Sequence, residues 1–170
     1  ARRKIDRLDA RLLLQQATGC THNDLLARPE TPVAAAAGQQ FMAWVERRAS
    51  GEPLAYLVGE AEFCGRVFEV SPAVLIPRPE TEVLIDLALE RLRGLTAPRV
   101  LDLGTGSGIV AISLALECPA VAVVAVDLSA GAISVARTNA ARLGAPVDFR
   151  QGDWFMPVAG EHFDLIVANP

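Results

Sequence analysis

Val100 to Gly108 reads V-L-D-L-G-T-G-S-G, an apolar stretch running into an acid and three alternating glycines. Val100, Leu101 and Leu103 fit a buried parallel strand, and Ile109 to Leu116 carries apolar side chains at helical spacing. The glycines therefore fall on a strand-to-helix turn, the context in which such a motif binds a nucleoside. Gly104, Gly106 and Gly108 lack Cβ atoms, so the backbone can turn sharply and press against a ligand with amide N–H groups pointing into the site.

Two cofactor classes use this turn, and spacing separates them. The dinucleotide fingerprint G-x-G-x-x-G needs glycine at position 109, where this chain has Ile109. Asp102, just before the first glycine, is instead an acid able to meet the ammonium group of S-adenosylmethionine (SAM). Ala120 to Val126 is a second continuous apolar strand and leads into Asp127, from which a carboxylate can accept hydrogen bonds from both ribose hydroxyls. Both cofactor classes share that acid, so Asp127 argues for a nucleoside and Asp102 for SAM. The bland alternative, a glycine turn with two capping acids and no ligand, is opposed by the strand before the turn and the helix after it.

Working outward, the β-α alternation continues through a helix near Ser129 to Leu143, a strand at Val147 to Arg150 and a strand at Phe163 to Ala168. This predicts a doubly wound, Rossmann-like α/β sheet. Between the last two strands lies Gly152-Asp153-Trp154-Phe155. Asp153 and Trp154 are candidates to flank an adenine ring by hydrogen bond and stacking, although Trp154 suits hinge packing equally well. The final strand delivers Asn169-Pro170 at its carboxyl end, the edge where open parallel sheets bind ligands.

The first third reads as helical. Ile5, Leu8 and Leu12 form one stripe ended by Gly19, and Thr21 with Asp24 resembles a capping box for a short second helix. Pro32 to Ser50 gives a third helix, with Ala37, Phe41, Trp44 and Val45 on a core-facing side and Gly51 as its C-cap. Glu60 to Val70 reads as a hairpin around Cys64-Gly65, and Pro79 with Glu80 and Glu82 launches a helix over Val83 to Arg93. The expected organisation is a helical N-terminal domain at 1–58, a hairpin linker at 59–76 and the sheet domain at 77–170.

Composition narrows the function. Of 170 residues 51% are hydrophobic, ample for a core, with no 18-residue apolar run and no basic-then-apolar leader. Cys20, Cys64 and Cys118 share no metal or redox spacing, which suits packing residues in a reducing, cytoplasmic setting. His22 and His162 stand without partner ligands. Residues 1–99 hold 13 basic and 13 acidic side chains and 100–170 hold 3 and 7, giving the net charge of -4. Such a surface does not draw in nucleic acid by bulk field. The excess of Arg2, Arg3, Lys4, Arg7 and Arg11 over Asp6 and Asp9 fits a solvated helix face better than an RNA contact.

Four blocks now carry a resemblance: G-E-P-L-A-Y-L-V-G (51–59) leading to E-F-C-G-R-V-F-E-V (62–70), V-L-I-P-R-P-E-T-E (74–82), D-L-G-T-G-S-G (102–108), and G-D-W-F (152–155) with N-P (169–170). The chain closely resembles the HemK/PrmC family, N5-glutamine methyltransferases that act on class I peptide chain release factors. The P-R-P-E-T-E block is its most specific part. The resemblance implies a helical domain that recognises the release factor, a hairpin and a SAM-dependent catalytic domain whose fourth strand ends in N-P-P-Y. It places the cofactor on Asp102, Gly104, Thr105, Gly106, Ser107, Gly108, Asp127, Asp153, Trp154 and Asn169, and catalysis on Asn169 and Pro170. Cys64 departs from the pattern, standing where relatives usually carry an aromatic. The N-P-P-Y motif is cut after Asn169-Pro170 and position 1 is Ala, so the expectation is a C-terminally incomplete chain, by itself inactive.

The chemistry explains the motif. The nitrogen of a glutamine side chain is planar, its lone pair delocalised into the carbonyl, so it attacks a methyl sulfonium poorly. If Asn169 Oδ1 and the Pro170 carbonyl each accept an N–H of that amide, they aim the nitrogen at the methyl group and favour pyramidal geometry as charge develops. An adenine N6-amine poses the same problem, so a nucleic-acid methyltransferase is the alternative, opposed by the acidic charge. A non-catalytic SAM-binding module is the third reading.

Overall fold

The computed structural model describes residues 5–169. Arg2, Arg3 and Lys4 of the basic cluster, and Pro170 of the expected catalytic pair, lie outside these residues. The chain divides into two compact units, Ala1–Gly59 and Glu60–Pro170.

In the first unit, α1 (Arg7–Thr18) starts at Asp6, whose carboxylate accepts the Leu8 N–H at 2.6 Å, and ends at Gly19 in the left-handed region. The Thr21/Asp24 capping box forms as its spacing requires and opens α2 (His22–Ala27). Then follow α3 (Ala35–Ala49), which ends at Ser50 rather than Gly51, and α4 (Leu54–Val58). The expected stripe of Ile5, Leu8 and Leu12 is out of phase: Leu8 is 51% and Leu12 37% exposed, while Leu13 is fully buried. Leu8 and Leu12 do share a face of α1, but it is the exposed one, and the covered side runs through Ala10, Leu13, Leu14 and Ala17. On α3 only Val45 is buried, and Ala37, Phe41 and Trp44 are half-covered, so Trp44 is a flank and not a core residue. Arg48 Nε donates to Asp9 Oδ2 at 2.7 Å and ties α3 to α1.

The second unit begins with an antiparallel hairpin, β1 (Glu60–Phe63) and β2 (Arg66–Glu69). Cys64 and Gly65 make its turn, both at positive φ (47° and 67°), as a two-residue loop matching strand twist requires. Cys64 is exposed there, which corrects its reading as a packing residue. Phe63 and Phe68, edge to face at 6.4 Å, join the core of this unit, so the hairpin is built into it.

Then come α5 (Glu80–Leu92), β3 (Arg99–Leu103), α6 (Ile109–Glu117), β4 (Ala122–Asp127), α7 (Ala130–Leu143), β5 (Val147–Gln151), a 3₁₀ turn (Met156–Val158) and β6 (Leu165–Ala168). The strands form one parallel sheet in the order β5-β4-β3-β6. The chain enters at β3, moves outward through β4 to β5, and returns to the other side of β3 as β6. That reversal makes the carboxyl ends of β3 and β6 a topological switch point, where a crevice opens in a Rossmann-like α/β fold.

Side chains alternate between two faces. Val100, Val123, Ala125 and Phe149 meet α5, α6 and α7 in the larger cluster. Leu101, Leu103, Val124 and Val126 face a smaller one, covered by Val158 and Phe163 from the 152–163 loop. Helices α5, α6 and α7 thus pack on one sheet face, and a loop covers the other. Phe163 leaves the strand expected at 163–168 for this covering role, with the Arg99 guanidinium 4.9 Å above its ring. Glu161 accepts from both Arg99 and Arg150, which anchors the loop to β3 and β5 and holds the Glu161 carboxyl below its usual range.

Candidate functional site

At the carboxyl ends of β3, β4 and β6 a cavity of about 350 Å³ is lined by Leu103, Gly104, Gly106, Val126, Asp127, Leu128, Gly152, Asp153, Trp154 and Asn169, with Ala73 to Leu75 along one side. It adjoins a smaller cavity of about 60 Å³ that shares Leu75, Gly104, Gly106 and Asn169 and adds Arg78, Thr81, Asp102, Thr105 and Ser107. All of the described cofactor candidates except Gly108 line one or the other.

The glycines of the turn are not equivalent. A Cβ on Gly106, at φ 54°, would meet no atom within 4 Å, so this residue borders open space in the cleft. A Cβ on Gly108 would lie 2.9 Å from Ile112 Cδ1 and 3.0 Å from Ala136 Cβ. Gly108 therefore lets α6 approach α7 closely, a packing role where binding is expected from the sequence.

The two acids are held differently. Asp127 Oδ2 accepts the Gly106 N–H at 2.9 Å and Oδ1 accepts the Ser129 N–H at 2.9 Å, so one carboxylate braces both the turn and the start of α7. A carboxylate offers about four lone-pair positions, so each oxygen can still accept a further donor from the cleft. Asp102 is 2% exposed, and its Oδ2 accepts the Thr105 hydroxyl at 2.7 Å. Burial pushes its carboxyl up to about 6, against the lowering effect of that hydroxyl. Asp102 thus sits beneath the turn and opens onto the smaller cavity, not the main cleft.

Gly152 donates its N–H to Asp127 O at 3.0 Å, and a Cβ there would fall 2.3 Å from Pro157 Cγ, so only glycine fits. The following loop places Trp154 on the cleft at 52% exposure and at φ 45°, a conformation that costs a bulky residue energy. Asp153 lines the same wall. Asn169 lies at the junction of the two cavities, its Nδ2 donating to Thr81 Oγ1 at 3.1 Å.

Two residues escaped the sequence reading. Asn139 on α7 is fully buried. Its Nδ2 donates to Ser107 O at 2.9 Å and Glu69 O at 3.0 Å, and its Oδ1 accepts the Glu69 N–H at 2.6 Å. It clasps β2 to the glycine turn. A lone polar residue among the apolar positions of a helix is its only trace in the sequence. Thr81 lay inside the distinctive 74–82 block, yet nothing local connects it with Asn169.

A parallel sheet with a glycine turn after its first strand, an acid ending its second and an asparagine at the switch point defines a nucleoside-binding domain of the methyltransferase type. The chain belongs to the methyltransferase small domain family, which matches residues 81–170. Residues 1–59 match the PrmC N-terminal domain. The chain is 49% identical over 167 residues to the release factor glutamine methyltransferase of Bordetella pertussis and 46% identical over 173 to that of Burkholderia pseudomallei. These alignments cover 98% of this chain but 62% and 61% of those relatives. Among solved structures it is similar to a T. thermophilus 16S rRNA methyltransferase in complex with AdoMet and guanosine, with a TM-score of 0.57, 26% identity, and coverage of 65% of this chain and 32% of that one.

Proposed function

We propose that the full-length protein is a cytoplasmic SAM-dependent enzyme that methylates the side-chain amide nitrogen of a glutamine in class I peptide chain release factors. The observation that carries this reading is the helical unit. The cleft alone suits many methyltransferases, whereas residues 1–59 match the PrmC N-terminal domain and the release factor enzymes align across both units. No described helix is long and apolar enough to cross a membrane.

The residues present fit SAM. A cavity of about 350 Å³ is of ligand size. Asp127 retains acceptor capacity for two ribose hydroxyls, Trp154 and Asp153 offer a ring face and an acceptor to an adenine, and the buried Asp102 has one hydroxyl partner and suits a cationic ammonium.

When bound, SAM supplies an electrophilic methyl on a sulfonium. Asn169 Oδ1 would accept an N–H of the substrate amide, and the carbonyl of Pro170, which lies outside the described residues, is the acceptor proposed for the other. Together these acceptors would hold the nitrogen in line with the methyl group and stabilise the positive charge that develops on it. The amide proton then leaves to solvent. No side chain with a shifted pKa is needed as a base. Asp127 and the glycine turn would hold the cofactor, with Asp153 and Trp154 on the wall beside its base.

Methyl transfer from labelled SAM by the full-length protein, offered a release factor domain or duplex DNA, tests the reading. Label on a release factor glutamine is expected. Label on adenine would replace the reading with the nucleic-acid one, and SAM binding without transfer would leave a non-catalytic module.

A further inference from the structure

Residues 74–82 form the most distinctive block of the sequence, yet none of the groups assigned to cofactor or substrate comes from its P-R-P-E-T-E segment. Pro77 and Pro79 end an extended stretch, and α5 starts at Glu80 with the Thr81 N–H donating to Arg78 O at 3.0 Å. This places Thr81, only 5% exposed, in the first turn of the helix and against the carboxyl end of β6. Its hydroxyl oxygen accepts Nδ2 of Asn169 at 3.1 Å across 88 residues of chain. Both residues line the small cavity, and Asn169 lines the main cleft as well.

A carboxamide has one accepting end and one donating end. An amide nitrogen that must be held by its N–H needs the accepting end, and a flipped Asn169 would present NH₂ to NH₂. A threonine hydroxyl can accept or donate, so it holds the carboxamide in either orientation and the substrate N–H selects between them; in the orientation seen, with Nδ2 on Thr81, Oδ1 is the end left for the substrate.

We propose that Thr81 is a positioning residue, whose hydroxyl anchors the Asn169 carboxamide at the end of β6 and accepts from Nδ2 while Oδ1 receives the substrate amide. This rests on the reading of Asn169 as the acceptor for a glutamine side chain. It gives the 77–82 block a function: to carry a buried hydroxyl from the start of α5 to the end of β6. The role is in orientation, so removing the hydroxyl acts on the rate of transfer and not on the hold on SAM.

The test uses Thr81→Val, which keeps the shape and removes the hydroxyl, and Thr81→Ser, which restores it, both in the full-length protein. In Thr81→Val, kcat for a release factor domain is expected to fall about 10- to 100-fold, the range for a misplaced reacting group. SAM affinity should stay within about twofold, and Thr81→Ser should recover most of the rate. An unchanged kcat would overturn the proposal. So would a joint loss of rate and SAM affinity that serine does not rescue, since that marks a merely structural residue.

A second readout is independent of transfer. The side-chain amide NMR signals of Asn169 in SAM-bound protein should show one strongly shifted Nδ2 proton, lost in Thr81→Val; identical signals in the two proteins overturn the proposal. If the wild type methylates no release factor, the functional reading falls, and this spectrum still decides the positioning claim.

Discussion

The carboxyl ends of β3 and β4 are braced by residues close in sequence, whereas the carboxyl end of β6 is held by a residue far away. Asp102 meets Thr105 three positions on, Asp127 meets Ser129 two positions on, and its bond to Gly106 spans 21 residues within one strand-helix-strand unit. Asn169 meets Thr81 across 88 residues, through one side-chain bond. The bonds among the glycine turn, Asp102 and Asp127 are therefore in place once the first β-α-β unit folds, whereas Asp153 and Trp154 join the cleft only after β5. Asn169, the proposed substrate acceptor, waits for the whole unit, and one side-chain bond tethers it. Binding and chemistry should be separable by mutation along that divide.

The sharpest break is Asn169→Ala in the full-length protein. Removing an acceptor used mainly at the transition state should cut methyl transfer by about 10² or more, with SAM affinity almost unchanged. Kinetics at saturating SAM together with calorimetry would read both quantities. If rate and affinity fell together, Asn169 would belong to the cofactor side and the divide would vanish.

The same divide explains what was legible in the sequence. The glycine turn, Asp127 and the strand-helix order follow from local spacing and periodicity, and the structure places them as those rules require. The capping box at Thr21 and Asp24 is legible for the same reason. The stripe on α1 is a real helical face but the exposed one, because spacing finds a face without saying which side the rest of the unit covers. At Gly108 the sequence cannot tell binding from packing, because a glycine before a helix looks alike whether it faces a ligand or Ala136. Asn139 and Thr81 were invisible, since their meaning lies in partners 70 and 88 residues away that no local pattern encodes. The 74–82 block stood out as unusual, but its physical purpose needed the fold.

On the cofactor side, Asp127→Ala should weaken SAM binding by roughly 1 to 3 kcal/mol, because two ribose hydroxyls lose their acceptor in a partly closed site. The Gly106 and Ser129 N–H groups would also lose theirs, so Asp127→Asn, which keeps one accepting oxygen, should fall between the two. The rate at saturating SAM should change far less than in Asn169→Ala. Unchanged affinity on calorimetry would remove Asp127 from the ribose and leave it as a brace for the turn.

The smallest expected effect probes Asp102, the acid buried under the turn. Its carboxyl, near pH 6 in the free protein, is raised above the unfolded value, so the folded state holds the proton more tightly. The stability this provides, on the order of 3 kcal/mol, is fully present below about pH 4 and is lost as pH rises through about 6. Cofactor binding should run the other way. Only the ionised carboxylate attracts an ammonium, so SAM affinity should rise about tenfold from pH 5 to pH 7 and level off above it. Asp102→Asn keeps an oxygen for Thr105 but cannot ionise, so its affinity should be lower at pH 7 and flat across the range. Binding isotherms at four pH values for both proteins would decide it. A wild type flat between pH 5 and 7, or an equal slope in Asp102→Asn, would leave Asp102 as a support for Thr105 alone, and the ammonium would need another partner in the cleft.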